Sequence, residues 1–242
     1  MNDIGSFWVY LASSPLLGLT LTVSAYTVAH AVYVRCRFSP LANPVAIAIL
    51  LIGAVLGFTG MSYQRYFSGA QFVHFLLGPA TVALAIPLAR QLPRVRKVIL
   101  PMLCALLAGS VTAIVSSVLL VKAFGGSAVL ALSVGPKSAT TPIAMAISER
   151  LGGVPALTAV LVISTGIVGA VAGRFIFDLL RITDPEARGF ALGVAAHGIG
   201  TASAIQTHPS MGAFAVLGMG LNGVLTAFLA PSLVPFLMAR IF

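Results

Sequence analysis

The sequence predicts an all-α polytopic membrane protein with about eight hydrophobic elements, two or three of them interrupted. Three observations lead to this fold class. Only 8% of the 242 residues are charged, against roughly 25% in a soluble domain, and 59% are hydrophobic. Most uncharged runs between the few charges reach the ~20 residues that a helix needs to cross a bilayer. These runs are continuous, without the period of two that marks a membrane β-strand.

The hydrophobic elements follow one another with short connections. Their predicted ranges are 7–34, 44–62, 72–90, 98–122, 126–149, 154–178, 189–206 and 212–239. No linker or low-complexity tract separates them, so residues 1–242 are expected to form a single integral membrane domain. The first connection carries Arg35 and Arg37, and the third carries Arg94 and Arg96. By the positive-inside rule these connections face the cytoplasm, and the N-terminus lies outside.

Several other classes of protein are disfavoured by the sequence. The N-terminus has no basic region of the kind that opens a signal peptide, so the first helix is expected to be retained. Cys36 and Cys104 belong to no redox or metal motif, and we expect neither a cofactor nor a metal. The five acidic residues form no nucleophile–base pair or metal cluster, which argues against an enzyme. The net charge of +9 is interpreted as orienting membrane helices rather than binding nucleic acid.

The fifth element is interrupted near its middle. It reads SAVLALSVGPKSATTPIAMAISERLGG, and prolines at 136 and 142 each remove a backbone donor and break the helix. Lys137 lies in this break, with 14 uncharged residues before it and 11 after it. A cation inside a membrane is costly and is commonly functional. The alternative is a lysine whose ammonium reaches the surface along its flexible stem.

The chemistry of this break is that of an anion site. A half-helix that begins near Thr141 presents free N–H groups and the positive end of its dipole, and Lys137 adds a full charge. Backbone broken at membrane depth must be satisfied by protein or by a watery cavity. The predicted helix-breaking residues are Gly135, Pro136 and Pro142. The predicted substrate-binding residues of this element are Lys137, Ser138, Thr140 and Thr141.

The seventh element, FALGVAAHGIGTASAIQTHPSMG, is interrupted in a similar way. His197 opens the helix and could bind a substrate, carry a proton or serve as a hydrogen-bonded core histidine. Its Gly-x-Gly fragment lacks the strand and the acidic partner of a dinucleotide site. The predicted substrate-binding residues of this element are His197, Gly198, Gly200 and Thr201.

The third element carries another helix break, at Gly78 and Pro79, followed by Thr81. Aligning Gly78-Pro79 with Gly135-Pro136 gives an offset of 57 residues and a possible internal repeat. Paired interrupted helices in corresponding segments are typical of a transporter binding site near the membrane midplane. The residues predicted to line the path are Asn43, Thr81, Ser203 and Asn222. The Gly-x-x-x-Gly pairs at 53–57 and 169–173 predict close helix packing, either within the chain or at a dimer face.

Several runs of the sequence are similar to the LrgB/CidB family. They are GPKSATTPIAMAISERLGGVP, GVAAHGIGTASA and GMGLNGVLTAFLAP, with LANPVAIAILLIG and FVHFLLGPATVALAIPL upstream. The resemblance covers about residues 40–239, and GPKS-x-TTPIA is its most specific motif. It implies a multi-pass protein of the bacterial cytoplasmic (inner) membrane that acts with a smaller LrgA/CidA-like partner. Members are described as antiholin-like modulators of murein hydrolase export and autolysis. Relatives are regarded as small-carboxylate carriers, and the plastid glycolate/glycerate translocator is similar to a fusion of the two partners.

The resemblance and the interrupted elements lead to two expected functions. The first is a secondary carrier of small monocarboxylates or hydroxycarboxylates such as pyruvate, glycolate or glycerate. The alternative is an antiholin-like modulator without its own solute path. The expected partners are the carboxylate, an LrgA/CidA-like membrane protein and the lipid bilayer, with no nucleic acid and with a homo-oligomer left open. Ala146 and Ser203 stand where the family often has an acidic residue and an arginine, so the substrate's identity stays open.

Overall fold

The computed structural model describes residues 15–76, 79, 82–83 and 85–242, and over these residues it contains helices and no strand. The helices are α1 (Pro15–Arg35), a 3₁₀ turn (Pro40–Ala42), α2 (Pro44–Thr59), α3 (Tyr63–Phe75), α4 (Ala85–Lys97), α5 (Ile99–Ala123), α6 (Ala128–Val134), α7 (Thr141–Leu151), α8 (Pro155–Leu179), α9 (Pro185–Thr207) and α10 (Pro209–Ile241). Within the described chain, α1, α5, α8 and α10 are long and apolar enough to span a membrane. The protein is an all-α polytopic membrane protein, as predicted.

The largest differences from the predicted elements surround the third one. The stretches around residues 63–71 and 91–97 were predicted as connections, but they form α3 and the end of α4. Both helices mix apolar with polar or charged residues. Long uncharged runs do not identify such amphipathic helices, because charged residues interrupt them. The break predicted at Gly78 lies outside the described residues, as does the start of the first element at residue 7.

The chain divides into two compact units, residues 1–83 and 84–242. In the first unit, α1 packs against α2 through Ala25, Ala29 and Ala48. The hydroxyls of Thr22 on α1 and Tyr66 on α3 lie 2.8 Å apart. Small residues and this hydrogen bond therefore hold α1 between its two neighbours.

The second unit has two distinguishable ends. At the first, which we call the Arg94 end, Arg94 of α4 forms an ion pair with Glu186 at the start of α9. At the second, the Lys122 end, the Lys122 ammonium lies 4.7 Å from the centre of the Phe242 ring, so α5 and α10 finish together. Helix α8 runs back from the Lys122 end, because its last residues lead into α9 at the Arg94 end.

Helices α6 and α7 form a re-entrant hairpin, which we call the first hairpin. Both α5 and α8 cross the unit, and α5 ends where α8 begins, so the chain between them enters and leaves at the Lys122 end. The hairpin is bound to α8, because the Thr158 hydroxyl lies 2.9 Å from the Ser133 carbonyl and 2.7 Å from the Ser148 hydroxyl. Its tip, residues 135–140, lies in the interior of the unit. The predicted interruption of the fifth element is therefore present, and the chain turns back on itself there.

Helix α9 forms the second hairpin and enters from the opposite end. His197 has φ 40° and ψ −131°, which no helix contains. A Cβ atom at Gly200 would lie only 2.8 Å from the Leu192 carbonyl oxygen, whereas eight residues of straight helix would separate them by about 12 Å. The chain therefore reverses at His197 and returns to the Arg94 end, where α10 begins.

The two hairpins give the second unit an inverted arrangement. Helices α5, α8 and α10 begin at residues 99, 155 and 209, about 55 residues apart, and a hairpin follows each of the first two. Because α5 and α8 run in opposite directions, their hairpins enter from opposite ends. Inverted repeats with broken helices that meet at the midplane are a recurring design of secondary transporters.

Asn222 of α10 joins the two hairpins. Its side chain is fully buried, and its Nδ2 donates to the carbonyls of Ser138 at 2.9 Å and Val194 at 3.1 Å. Its Oδ1 accepts from the Ser110 hydroxyl at 2.6 Å and from the Thr226 hydroxyl at 3.4 Å. One amide therefore connects the tip of the first hairpin, the second hairpin, α5 and α10.

We expect Asn222→Leu to lower the free energy of unfolding by about 2 kcal/mol, because two buried carbonyls lose their donor. The measurement is denaturant or thermal unfolding of the purified protein in detergent. Thr226→Val is the matched control, since it removes only the longest of the four bonds and should change the stability by no more than about 0.5 kcal/mol. Equal stabilities of Asn222→Leu and wild type would contradict this role.

We expect Gly193→Ala to destabilise the protein by about 1–3 kcal/mol, because α9 and α10 approach too closely for a Cβ atom. A methyl group there would meet the Ala215 carbonyl and would lie 2.8 Å from the Met219 nitrogen, both backbone atoms. Gly53→Ala on α2 is the control: nothing lies within 4 Å of its Cβ position, and alanine favours the helix by about 0.5–1 kcal/mol. If the melting temperatures of Gly193→Ala and Gly53→Ala shifted in the same direction from wild type, the close packing of α9 on α10 would be refuted.

Candidate functional site

A cavity of about 970 Å³ lies in the second unit between α5, α8 and α9. Its walls are mostly apolar. Its polar lining residues are Lys137, Ser138, Ser164, Thr165, Asp184 and Glu186. The cavity therefore combines an apolar wall with a few polar groups, as small-molecule sites commonly do.

The cavity runs from the interior of the unit to the Arg94 end. Lys137 and Ser138, at the tip of the first hairpin, line its inner part, and Asp184 and Glu186, at the start of α9, line its outer part. Asp184 is exposed, so the cavity reaches the surface there. A solute from the Arg94 end would thus meet Lys137 at the inner part of the cavity.

Lys137 is positioned by the turn that ends α6. Its backbone nitrogen donates to the Val134 carbonyl at 3.0 Å, and its side chain is half-buried in the cavity wall. Among the described residues the ion pairs are Arg94–Glu186 and Arg188–Asp178, and neither involves this ammonium. A cation in a largely apolar, membrane-embedded cavity attracts an anion, because desolvation without a counter-charge is unfavourable.

The carboxylates near the cavity mouth are already engaged. Glu186 pairs with Arg94, and its backbone N–H donates to the Asp184 carboxylate at 2.8 Å, which caps α9. Close by, an Arg188 nitrogen lies 2.7 Å from the Asp178 carboxylate. These contacts reduce the repulsion that an entering anion would meet.

Hydroxyl groups complete the inner cavity. Ser138 is buried beside Lys137, and Ser164 and Thr165 of α8 also line the wall. The Thr165 hydroxyl donates to the Leu161 carbonyl at 2.7 Å and keeps its oxygen as an acceptor. Ser164 and Thr165 were not predicted from the sequence, although two adjacent hydroxyl residues inside an apolar span are a signal that could have identified them.

Thr140, the last residue of this tip, and Thr141, which follows it, do not line the cavity. Helix α7 begins at Thr141 with Pro142 in its first turn, as predicted. The Thr140 carbonyl accepts from the Ala144 nitrogen at 2.9 Å, which starts the helix. Gly135 and Pro136 end α6 and are buried.

His197 is buried at the tip of the second hairpin and does not line the cavity. Its Nε2 lies 2.9 Å from the Val162 carbonyl, and its ring packs against Gly166, where a Cβ atom would lie 2.7 Å from Cε1. The Thr201 hydroxyl donates to the His197 carbonyl at 2.7 Å. These contacts fit the hydrogen-bonded core histidine among the three alternatives. Gly200, on the returning half of α9, is buried against Leu192 and Ala196 of the entering half.

The other predicted residues are dispersed. Asn222 is the buried connection described above, and Ser203 is half-buried with its carbonyl accepting from Thr207. Asn43, in the first unit, caps α2 by accepting from the backbone nitrogens of residues 45 and 46 at 2.9 and 3.1 Å. Gly198 and Pro79 are exposed, while Gly78 and Thr81 lie outside the described residues. Of the predicted substrate-binding residues, the cavity brings together Lys137 and Ser138.

Known proteins resemble this chain over most of its length. The sequence model of the LrgB-like family matches residues 22–236. The protein YxaC of Bacillus subtilis (strain 168) is 37% identical over 216 residues, which cover 89% of this chain and 94% of the relative. The antiholin-like proteins LrgB of Bacillus mycoides (strain KBAB4) and Bacillus cereus (strain B4264) are 31% and 30% identical over 224 residues, 93% of this chain and 97% of each relative.

No solved structure matches the chain. The family match includes α5, α8, α9 and both hairpin tips, so it covers the cavity and the elements that shape it. Together with relatives at 30–37% identity over about nine-tenths of the sequence, this extent shows that the protein belongs to the LrgB-like family.

Proposed function

We propose that the protein is a secondary carrier of small monocarboxylates or hydroxycarboxylates, such as pyruvate, glycolate or glycerate. The observation that carries the proposal is Lys137, an ammonium without a carboxylate partner among the described residues, in the inner part of a 970 Å³ cavity. A lysine and a buried hydroxyl suit a carboxylate, which accepts several hydrogen bonds.

In this proposal each polar group of the inner cavity has a role. Lys137 neutralises the carboxylate, and the Ser138 hydroxyl donates to it. Ser164 and Thr165, on the α8 wall, recognise a 2-oxo or 2-hydroxy group. The apolar wall excludes water and strengthens these contacts. No catalytic step, cofactor or metal enters this scheme.

A carrier that works by alternating access is open to one side of the membrane while the other side of its binding site is closed. The half of the second unit near the Lys122 end is filled by an apolar cluster from α5, the first hairpin and α10. Its buried members are Ile114, Val118, Ala131, Ile147, Ala230 and Val234. Movement of the first hairpin against α10 would expose Lys137 to that end.

We propose that an LrgA/CidA-like protein supplies the scaffold for this movement, and that the whole chain works as one transport domain.

The distribution of cations suggests the orientation in the membrane. Around the Arg94 end lie Arg90, Arg94, Arg96, Lys97, Arg174, Arg181 and Arg188, whereas Lys122, Arg150 and Arg240 lie towards the other. By the positive-inside rule the Arg94 end faces the cytoplasm, and the cavity opens to that side. We propose a bacterial inner-membrane location with the N-terminus outside.

The second candidate function is an antiholin-like modulator of autolysis without its own solute path. It is favoured by the names of the Bacillus mycoides and Bacillus cereus relatives. It requires only packing surfaces and leaves the unpaired lysine and the cavity without a role. Flux measurements separate the two functions, because a modulator moves no carboxylate.

We expect Lys137→Ala to lower carboxylate uptake at least about tenfold, because a charged hydrogen bond is worth about 1.5–3 kcal/mol. Uptake of labelled pyruvate, glycolate and glycerate is measured in proteoliposomes that contain the protein and its LrgA-like partner, with insertion verified. Lys122→Ala removes a cation that stacks on Phe242, outside the cavity, and should keep most of the uptake. Undiminished uptake by Lys137→Ala would remove the anion site, and an autolysis phenotype without any wild-type flux would support the modulator.

The orientation is tested with single cysteines in a chain carrying Cys36→Ser and Cys104→Ala. We expect Thr183→Cys, exposed at the Arg94 end, to react with an impermeant maleimide only in inside-out vesicles. Phe124→Cys, where the exposed side chain follows α5 at the Lys122 end, should react only in right-side-out vesicles. The reverse labelling pattern would place the cavity mouth outside the cell.

A further inference from the structure

Helix α4 carries cations on one face. Arg90, Arg94 and Lys97 are four and three residues apart, which places them on the same side of an α-helix. We call these three residues the cationic stripe. Val95 lies on the opposite side and is buried in an apolar cluster with Phe214 of α10. The helix therefore docks on the second unit by its apolar face and leaves the stripe on its outer face.

The cationic stripe is incompletely neutralised by the protein. Arg94 pairs with Glu186, but Arg90 and Lys97 are exposed and have no carboxylate partner among the described residues. Like charges on neighbouring turns of a helix repel each other and destabilise it. An external anion beside Arg90 and Lys97 would relieve this repulsion.

The elements packed near α4 offer no further carboxylate. The acidic residues at the Arg94 end of the second unit are Asp178, Asp184 and Glu186. Asp178 is bound by Arg188, Asp184 caps α9, and Glu186 is bound by Arg94. Neutralisation of the stripe must therefore come from outside the second unit.

The chain places the cationic stripe at the membrane surface. Lys97 is followed by Val98, and the membrane-spanning helix α5 begins at the next residue. The same short helix exposes the apolar side chains of Ile86 and Leu92. Cations next to the start of a span lie at the depth of lipid phosphates, and exposed apolar side chains there contact the acyl chains.

We propose that α4 is a binding site for anionic phospholipid headgroups, with the lipid phosphate held by Arg90 and Lys97. The site adjoins the cavity, because Arg94 of the cationic stripe forms an ion pair with Glu186, which lines the cavity mouth. Lipid bound there would hold α4 against the start of α9. This inference does not depend on the transported solute, and it stands whether the protein is a carrier or a modulator.

The test compares lipid binding by purified full-length variants in neutral detergent. Bound phosphatidylglycerol and phosphatidylcholine are counted by native mass spectrometry across a lipid titration. Wild type should retain phosphatidylglycerol preferentially, and 0.5 M salt should weaken the preference. Arg90→Gln with Lys97→Gln should weaken phosphatidylglycerol binding about fivefold for each cation removed. Arg150→Gln with Arg240→Gln removes the same charge near the Lys122 end and should leave this binding largely intact.

Three results would overturn the proposal. They are equal retention of the two lipids by wild type, an equal loss in the two double variants, and full competition by inorganic phosphate alone, which would indicate a site for a small anion instead of a lipid surface. If the Arg90→Gln, Lys97→Gln double variant aggregates, the two single variants replace it, each with an expected fivefold loss. Arg90→Lys keeps the charge and should bind like wild type.

Discussion

The arrangement of the second unit depends on the hydrogen bonds of one buried amide, that of Asn222. Both hairpin tips expose backbone carbonyls in the interior of a membrane protein, where no bulk water can satisfy them. The amide Nδ2 donates to one carbonyl from each hairpin region, Ser138 and Val194, while Oδ1 accepts from Ser110 on α5. Without this side chain, two chain reversals from opposite ends would meet with unsatisfied polar groups. With it, Lys137 has a fixed place at the inner part of the cavity.

The cavity and its closed counterpart follow from the same inverted arrangement. Towards the Arg94 end, α5, α8 and α9 diverge enough to leave about 970 Å³, and towards the Lys122 end apolar side chains fill the space between α5, the first hairpin and α10. Close contacts at Gly189 and Gly193 keep α9 on α10, so the second hairpin remains with that helix. A rearrangement of the first hairpin against this pair would exchange the open and the closed half, which is the requirement for a carrier.

Charge has three separate uses in this protein. The unpaired ammonium of Lys137 lies in the cavity, where it can hold an anion. Around the cavity mouth, ion pairs such as Arg94–Glu186 neutralise the carboxylates that would repel that anion. On α4 the cations Arg90 and Lys97 are exposed just before the apolar helix α5 begins. These charges of the second unit thus differ in their surroundings, and each can be stabilised by a counter-charge, a bound anion or water.

The sequence by itself determined the fold class and two of the places where helices break, near Pro136 and near His197. Composition and the length of the uncharged runs indicate membrane helices. Pro136, Pro142 and the glycines after His197 interrupt a helix at their own positions in the chain, so the local sequence is enough to predict these breaks. The tertiary structure decided that both breaks are reversals of the chain, and which side chains face the cavity. Asn222 was predicted to line the path, yet it bonds to Ser110, 112 residues away. Ser164 and Thr165 became part of the site because α8 turns them towards the cavity. Such roles depend on packing between distant helices, and a local pattern does not contain that information.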